Sequence, residues 1–178
     1  MRVHPLLDWP VTVPELRLCL RLNRIGDQAS VRRFFMLVSR LGDGIAWYTL
    51  MLLLPVVYGR AGAYASLHLA LVGIVALLIY RSLKRYTRRP RPYARHQSIT
   101  AHIAPLDEFS FPSGHTLHAL SFTLVATHHY PALAALLWPF ALLVAASRVV
   151  LGLHYPSDVL AAALIAIALA QSSIAIVS

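Results

Sequence analysis

Cysteine and acidic residues are scarce in this chain of 178 residues. Cys19 is its only cysteine, which excludes an internal disulfide and a metal centre built from several thiolates. Asp and Glu together number 7 against 16 Lys and Arg, so the formal net charge is +9 with neutral histidines. Such an excess of positive charge requires an acidic partner, which is nucleic acid, an anionic lipid or a phosphorylated substrate.

Internal repeats and low-complexity linkers are also absent from the sequence. The length suits one compact domain, so we expect residues 1–178 to form a single unit. The first ten residues lack the pattern of a signal peptide because Asp8 and Pro10 interrupt their apolar run. Membrane insertion is then expected to depend on internal segments.

Long apolar runs, in contrast, dominate the sequence. Apolar residues make up 58% and charged residues 13% of the chain, against about 45–50% and about 25% in average soluble domains. The apolar stretches lie at 44–58, 63–83, 115–130, 132–152 and 156–177. A hydrocarbon core of about 30 Å needs roughly 17–25 helical residues, so the first and third stretches are short. We predict an all-α polytopic membrane helix bundle of about five transmembrane helices. The alternative is a soluble bundle with unusually apolar helices.

Tight connections follow the two short stretches, at residues 59–62 and 128–131, and they favour antiparallel helix hairpins. Before the first stretch, residues 14–41 carry too many arginines to cross a bilayer. Three of these arginines share one helical face. A second segment of this stretch carries an apolar stripe from Phe34 to Leu41. This pattern predicts two interfacial amphipathic helices in an N-terminal arm of residues 1–43. The alternating leucines from Leu16 to Leu22 fit a short strand equally well.

Three polar clusters lie at the ends of the predicted spans, around the long polar stretch 84–114. They are Lys84 with Arg91 and Pro92; Pro112, Ser113, Gly114 and His115; and Ser147 and Arg148 with His154 and Asp158. Polar stretches of this length inside a compact domain are usually functional. Up-and-down topology brings these span ends to one side of the membrane, so we expect the clusters to converge.

Each cluster taken alone has a simpler interpretation. The basic run 81–95 fits an anchor to anionic lipid headgroups or a nucleic-acid-binding patch. However, Pro90 and Pro92 fix the direction of Arg91, and neither of these functions needs an arginine in a fixed direction. The second cluster offers free backbone N–H groups to an anion at a helix N-terminus, although Ser113 could simply cap that helix. In the third, a carboxylate four residues after a histidine can orient the imidazole as a nucleophile or base.

Together the clusters resemble the signature of the type 2 phosphatidic acid phosphatase superfamily. Its patterns K-x6-R-P, P-S-G-H and S-R-x5-H-x3-D are filled at every position within residues 84–158. The apolar stretches around them resemble the membrane core of that family. The departure is at the N-terminus, where many bacterial members carry an additional span and this chain has only the amphipathic segment 14–41.

The resemblance implies a role for each matching residue. His154 would attack phosphorus and form a phosphohistidine, Asp158 would hold its ring, and His115 would protonate the leaving oxygen and then help activate water. The residues expected to hold the phosphoryl oxygens are Lys84, Arg91, Ser113, Gly114 and Arg148. No cofactor or metal is expected, because fixed cations can stabilise the equatorial oxygens. The adjacent acids Asp107 and Glu108 are interpreted as a solvated loop tip.

The resemblance further implies a membrane lipid phosphate as substrate, without a nucleic-acid partner. Candidate substrates in the resembled family are undecaprenyl pyrophosphate, phosphatidylglycerol phosphate, phosphatidic acid and lipid A phosphates. The sequence does not choose among these lipids, and it does not predict an oligomeric state. Three other functions stay open: a lipid phosphotransferase with the same site, a non-catalytic binder of anionic lipid, and a vanadate-dependent haloperoxidase, whose known forms are typically soluble.

The expected location is a bacterial inner membrane, but two arguments disagree about sidedness. Seven Lys and Arg lie in the arm and seven between Arg81 and Arg95, while Arg60 alone falls on the opposite face. The positive-inside rule therefore predicts a cytoplasmic catalytic face, with Ser178 on the other side. The resemblance to bacterial relatives implies a periplasmic face instead.

Overall fold

The computed structural model describes residues 11–177, so residues 1–10 of the predicted arm and Ser178 lie outside the description. Its helices are α1 (Val13–Ile25), α2 (Ala29–Arg40), α3 (Ala46–Thr87), α4 (Pro92–Arg95), α5 (Gly114–His129), α6 (Ala134–Val150) and α7 (Pro156–Val177). A π-helical turn (Leu41–Ile45) links α2 to α3, and a 3-10 turn (Pro131–Leu133) precedes α6. Between residues 11 and 177 the only β-type pairing is an isolated bridge between Pro90 and Phe109. The predicted all-α class is confirmed.

The alternating leucines from Leu16 to Leu22, which fit a helix or a strand, lie in helix α1, because residues 13–25 are helical. Thr12 caps its N-terminus by accepting a hydrogen bond from the Glu15 N–H at 3.3 Å. Buried Asn23 ties α1 to the polar loop, since its amide nitrogen donates to the Thr100 carbonyl at 2.9 Å and to the Val150 carbonyl at 3.0 Å. The arm is thus fastened to the end of the bundle where α6 finishes.

Helix α3 contains the hairpin predicted at residues 59–62. Gly59 adopts φ 58° and ψ −132°, which non-glycine residues rarely populate, and the chain reverses there. The Ser66 hydroxyl donates to the Met51 carbonyl at 2.7 Å, although a straight helix would separate residues fifteen apart by about 22 Å. A Cβ atom on Gly62 would lie 1.9 Å from the Leu54 carbonyl oxygen, so only glycine permits this close approach.

The bundle packs around α5, which contacts α3, α6 and α7. The α7 face that packs inward consists of Ala162, Ala166 and Ala170, all fully buried, and such small residues let membrane helices approach closely. Its other side exposes large apolar residues such as Leu160 and Leu164, as expected for contact with lipid. The segments long and apolar enough to cross a membrane are Ala29–Thr87, Pro131–Val150 and Pro156–Val177. The chain is a membrane helix bundle, and the prediction of five separate spans stays a prediction.

The span ends converge as the up-and-down topology predicts. Lys84 at the end of α3, Gly114 at the start of α5 and Arg148 near the end of α6 all line one cavity. The opposite end of the bundle carries a second polar group, in which His68 Nδ1 lies 3.0 Å from His129 Nε2. His68 Nε2 lies 3.1 Å from the Ser173 hydroxyl, so this histidine joins α3, α5 and α7.

Candidate active site

The segment between α3 and α4 places two buried arginines, Arg89 and Arg91, at the catalytic end of the bundle. Helix α3 ends at Thr87. The next residue, Arg88, has a left-handed conformation (φ 47°) that turns the chain, and its N–H donates to the Lys84 carbonyl at 2.9 Å. Arg91 follows in an extended conformation between two prolines. Arg89 and Arg91 bind different partners, Asp158 and Asp107, and both arginine side chains are buried.

Lys84 and Arg91 converge on the carboxylate of Asp107. Lys84 Nζ lies 2.7 Å from Asp107 Oδ1 and 2.8 Å from Oδ2, and Arg91 Nη2 donates to Oδ1 at 2.7 Å. Burial alone would raise the pKa of Asp107, but the hydrogen bond and charge of Lys84, together with the charge of Arg91, lower it overall. Asp107 is exposed, as expected of a loop tip, but the loop folds back so that its carboxylate pairs with the two buried cations. Glu108 is exposed as expected.

His154 faces the same cations through one ring nitrogen. Arg91 Nη1 donates to the Leu153 carbonyl at 2.8 Å and lies 3.3 Å from His154 Nε2. Because a guanidinium can only donate, Nε2 must present its lone pair in this arrangement. Burial lowers the pKa of His154 well below its usual value, and the positive charges of Arg91, Arg148 and Lys84 lower it further. Both effects favour the neutral imidazole, whose Nε2 lone pair faces the cations.

Asp158 lies behind the same ring. Its Oδ2 is 3.5 Å from His154 Nδ1, which is within ion-pair distance but outside hydrogen-bond geometry. The Tyr155 N–H donates to the same oxygen at 2.8 Å. Asp158 is fully buried in the first turn of α7 and does not line the cavity. This position suits an orienting carboxylate, since it can contact the nucleophile but not the substrate.

Arg148 completes the group of buried cations. Its Nη1 donates to the Ser39 hydroxyl at 2.5 Å, so the N-terminal arm contributes directly to the site. Its Nε has no hydrogen-bond partner among residues 11–177, and the side chain lines the cavity. An unsatisfied buried donor beside an open cavity is suited to bind an incoming anion.

The Pro-Ser-Gly-His cluster forms the N-terminus of α5. Ser113 caps the helix, because its hydroxyl accepts from the Thr116 N–H at 3.4 Å and lies 2.9 Å from the Thr116 hydroxyl. The Ser113 side chain is buried and does not line the cavity, and its predicted phosphate contact stays a prediction. Gly114 and His115 do line the cavity, and His115 Nε2 lies 3.3 Å from Asp43 Oδ1.

The cavity has a volume of about 760 Å³ and unites most of the predicted site. Six of the eight predicted residues line it, namely Lys84, Arg91, Gly114, His115, Arg148 and His154. The part of its wall that comes from α3 and α5 includes apolar residues such as Trp47, Ile74, Leu77 and Phe122. A smaller cavity of about 330 Å³ on the α2 side shares Asp43, Leu106, His115 and Arg148 with it.

Sequence reasoning missed four residues that contact the site: Glu15, Ser39, Asp43 and Arg89. A signal was available for one of them, because Asp43 is one of few acids in a basic chain. Within residues 11–177 no group of three His, Cys, Asp or Glu is arranged to hold a metal ion. Metal independence stays a prediction.

Comparison with known proteins identifies the class to which this site belongs. Residues 61–178 match the profile of the PAP2 superfamily, so the chain belongs to that superfamily and the resemblance drawn from its motifs is confirmed. It is 32% identical over 129 residues to the undecaprenyl-diphosphatase BcrC of Bacillus subtilis, covering 69% of this chain and 64% of that protein. It is 40% identical over 93 residues to the decaprenylphosphoryl-5-phosphoribose phosphatase of Mycolicibacterium smegmatis, covering 49% and 48%. The chain thus spans about half to two thirds of the length of these relatives.

Two solved structures share the architecture. Aquifex aeolicus LpxE superimposes with a TM-score of 0.78 at 26% identity, covering 95% of this chain and 98% of that one. A transmembrane PAP2-type phosphatidylglycerolphosphate phosphatase from Bacillus subtilis superimposes with a TM-score of 0.74 at 22% identity, covering 93% and 87%. The second likeness speaks for the fold alone.

Proposed function

We propose that this chain is a membrane phosphatase that hydrolyses a lipid phosphate monoester or pyrophosphate through a phosphohistidine on His154. One observation carries the proposal: Lys84 and Arg91 together bind the two oxygens of the Asp107 carboxylate at 2.7–2.8 Å. Charge-assisted bonds of this kind hold phosphoryl oxygens equally well, and Arg is suited to their planar geometry. The binding of the Asp107 carboxylate supports a phosphoryl site at this cation cluster.

The neighbouring groups are arranged for in-line transfer. His154 Nε2, with its lone pair available, would attack phosphorus while the bond to the leaving oxygen breaks and His115 supplies a proton to that oxygen. Water would then attack the phosphohistidine, with His115 accepting its proton, and inorganic phosphate would leave. Lys84, Arg91 and Arg148, with the backbone at Gly114, would stabilise charge on the equatorial oxygens throughout. Asp158 would stabilise the positive charge that develops on the imidazole.

The substrate is proposed to keep its tail in the bilayer. The cavity joins the cation cluster to an apolar wall on α3 and α5, and the surrounding helices expose apolar side chains. Both curated relatives described above are named for phosphatases of polyprenyl-linked substrates. We therefore place polyprenyl phosphates and pyrophosphates first, ahead of phosphatidylglycerol phosphate, phosphatidic acid and lipid A phosphates.

Phosphate release from a panel of these lipids by detergent-purified protein tests the proposal. We expect release from at least one polyprenyl substrate with water as the only acceptor, and no release by His154→Ala. Release that requires an added acceptor alcohol would identify a phosphotransferase. Binding of anionic lipid without turnover of any panel member would identify a non-catalytic protein.

The catalytic face is proposed to be cytoplasmic in a bacterial inner membrane. Ser39 and Asp43 of the arm contact Arg148 and His115, which supports counting the positive charges of the arm on the catalytic side. A fusion after Ser178 decides the orientation. We expect alkaline phosphatase activity at that position, whereas fluorescence of a green fluorescent protein fusion without such activity would place the catalytic face in the periplasm.

A further inference from the structure

Arg89 is a buried cation that lies outside the cavity and outside the motif positions quoted above. Its side chain is 2% exposed, and its guanidinium lies 4.3 Å from the centre of the Tyr155 ring. Arg89 Nη1 donates to Asp158 Oδ1 at 2.5 Å and to the Ser157 hydroxyl at 2.7 Å. The predicted phosphate-binding cations face the cavity, so Arg89 serves the opposite side of the catalytic group.

The two oxygens of Asp158 have different partners, and this fixes the plane of the carboxylate. Oδ1 is bound by Arg89, while Oδ2 accepts from the Tyr155 N–H and faces His154 Nδ1 at 3.5 Å. Asp158 is fully buried, and burial of an unpaired carboxylate favours its protonated form. A protonated or rotated Asp158 could not accept from an imidazolium. Arg89 therefore supplies both the counter-charge and the orientation that this role requires.

Glu15 extends this network to the N-terminal helix. Its Oε2 lies 3.7 Å from Arg89 Nη2, and its Oε1 accepts from the Ser157 N–H at 3.1 Å and from the Ser157 hydroxyl. Arg89 is thus held between two carboxylates, one on α1 and one on α7. Because Asn23 fastens α1 to the polar loop, the position of Glu15 is itself fixed.

We propose that Arg89 is a positioning residue that acts on His154 through Asp158, and that Glu15 holds Arg89 in place. The inference rests on the proposed function, in which His154 becomes positively charged when phosphorus is attacked. Asp158 must then be ionised and directed at Nδ1. Substrate binding depends on different residues, so loss of Arg89 should slow the formation of the phosphoenzyme and leave substrate affinity almost unchanged.

The test compares Arg89→Gln with Arg88→Gln, which removes the same charge one residue earlier from an exposed side chain. We expect Arg89→Gln to lower kcat about 100-fold with KM within about twofold of wild type, as for other groups that orient a catalytic residue. Rapid-quench measurement should show phosphoenzyme formation slowed by the same factor. Arg88→Gln should keep wild-type values.

Two conservative variants keep the test decisive if Arg89→Gln does not fold. Arg89→Lys retains the charge opposite Asp158 and should keep activity within about tenfold of wild type. Glu15→Gln removes the residue that holds Arg89, and it should lower kcat about tenfold without changing KM. A kcat unchanged in both Arg89→Gln and Glu15→Gln, or a loss that appears mainly in KM, would overturn the inference. A wild-type protein that releases phosphate from no lipid would instead refute the proposed function.

Discussion

The two ends of the bundle solve the problem of buried polar groups differently. At the end remote from the cavity, His68, His129 and Ser173 satisfy one another at 3.0 and 3.1 Å. At the catalytic end, Arg148 Nε and His154 Nδ1 are buried without a hydrogen-bond partner among residues 11–177. An unpaired buried donor is costly, and such costs concentrate where a ligand or a reaction supplies the missing partner. The difference separates a group that stabilises the fold from one prepared for an anion.

The largest expected effect comes from removing the nucleophile. His154→Ala should lower kcat by at least about 10⁴-fold, because a nucleophile and its orienting group act as a unit. Phosphate release under single-turnover conditions measures this loss, with a thermal melt in detergent as the control for folding. Substantial turnover by a folded His154→Ala protein would remove the catalytic role from this end of the bundle.

The next effect concerns the geometry of the cation cluster. Arg91→Lys keeps the charge but loses the fork that contacts Asp107, Leu153 and His154 together. We expect kcat/KM to fall on the order of 100-fold, in the range found when one transition-state donor is removed. The matched change Arg88→Lys, on an exposed side chain, should have little effect. Equal, mild effects of both changes would favour a headgroup-binding surface over a phosphoryl site.

Asp107 provides a smaller and opposite effect. A substrate phosphoryl must displace this carboxylate from Lys84 and Arg91, and the neutral amide of Asp107→Asn competes less well for the cations. We expect KM and the inhibition constant for vanadate to fall about threefold to tenfold, while kcat changes little. Initial rates over a range of substrate concentrations measure both quantities.

The control for Asp107→Asn is Glu108→Gln, since it removes the same charge from the exposed neighbouring residue. This change should leave the vanadate constant near its wild-type value. If Asp107→Asn instead raises KM or abolishes turnover, then Asp107 holds the two cations in place during catalysis. It would then belong with the satisfied polar groups that stabilise the fold.

The sequence predicted the helices and six of the residues that line the cavity, because both depend on local patterns. Apolar runs define the helices, and the motifs give His115, Arg148 and His154 together with the ends of the helices that carry them. The ion pairs of Asp107 were not predicted because they depend on how the loop 96–113 folds. No local rule indicates that an acid in a polar loop will turn back onto Lys84, 23 residues earlier in the chain.

The same limit explains the residues that were missed. Arg89 meets Asp158 across 69 residues, and Glu15 meets Ser157 across 142 residues, so neither pair is visible in a local pattern. Ser113 shows the reverse case, because a simple local rule, N-capping, accounts for the hydrogen bond that its hydroxyl accepts from the Thr116 N–H. Contacts between residues far apart in the chain, such as Arg89 with Asp158, could therefore not be predicted from the sequence alone.

The smallest effect on activity is expected at the remote end. His68→Ala deletes a buried side chain and leaves His129 and Ser173 without their partner. Losing a satisfied hydrogen-bonding group of this kind costs about 1–3 kcal/mol of stability, so the melting temperature in detergent should fall by several degrees. The site residues lie at the other end of α3, α5 and α7, so kcat and KM should each stay within about twofold of wild type.

The control is Ser173→Ala, which breaks one of the two contacts of His68 and should lower the melting temperature less than His68→Ala does. A loss of activity larger than the loss of folded protein would show that the two ends are energetically coupled, and the contrast drawn between them would fail.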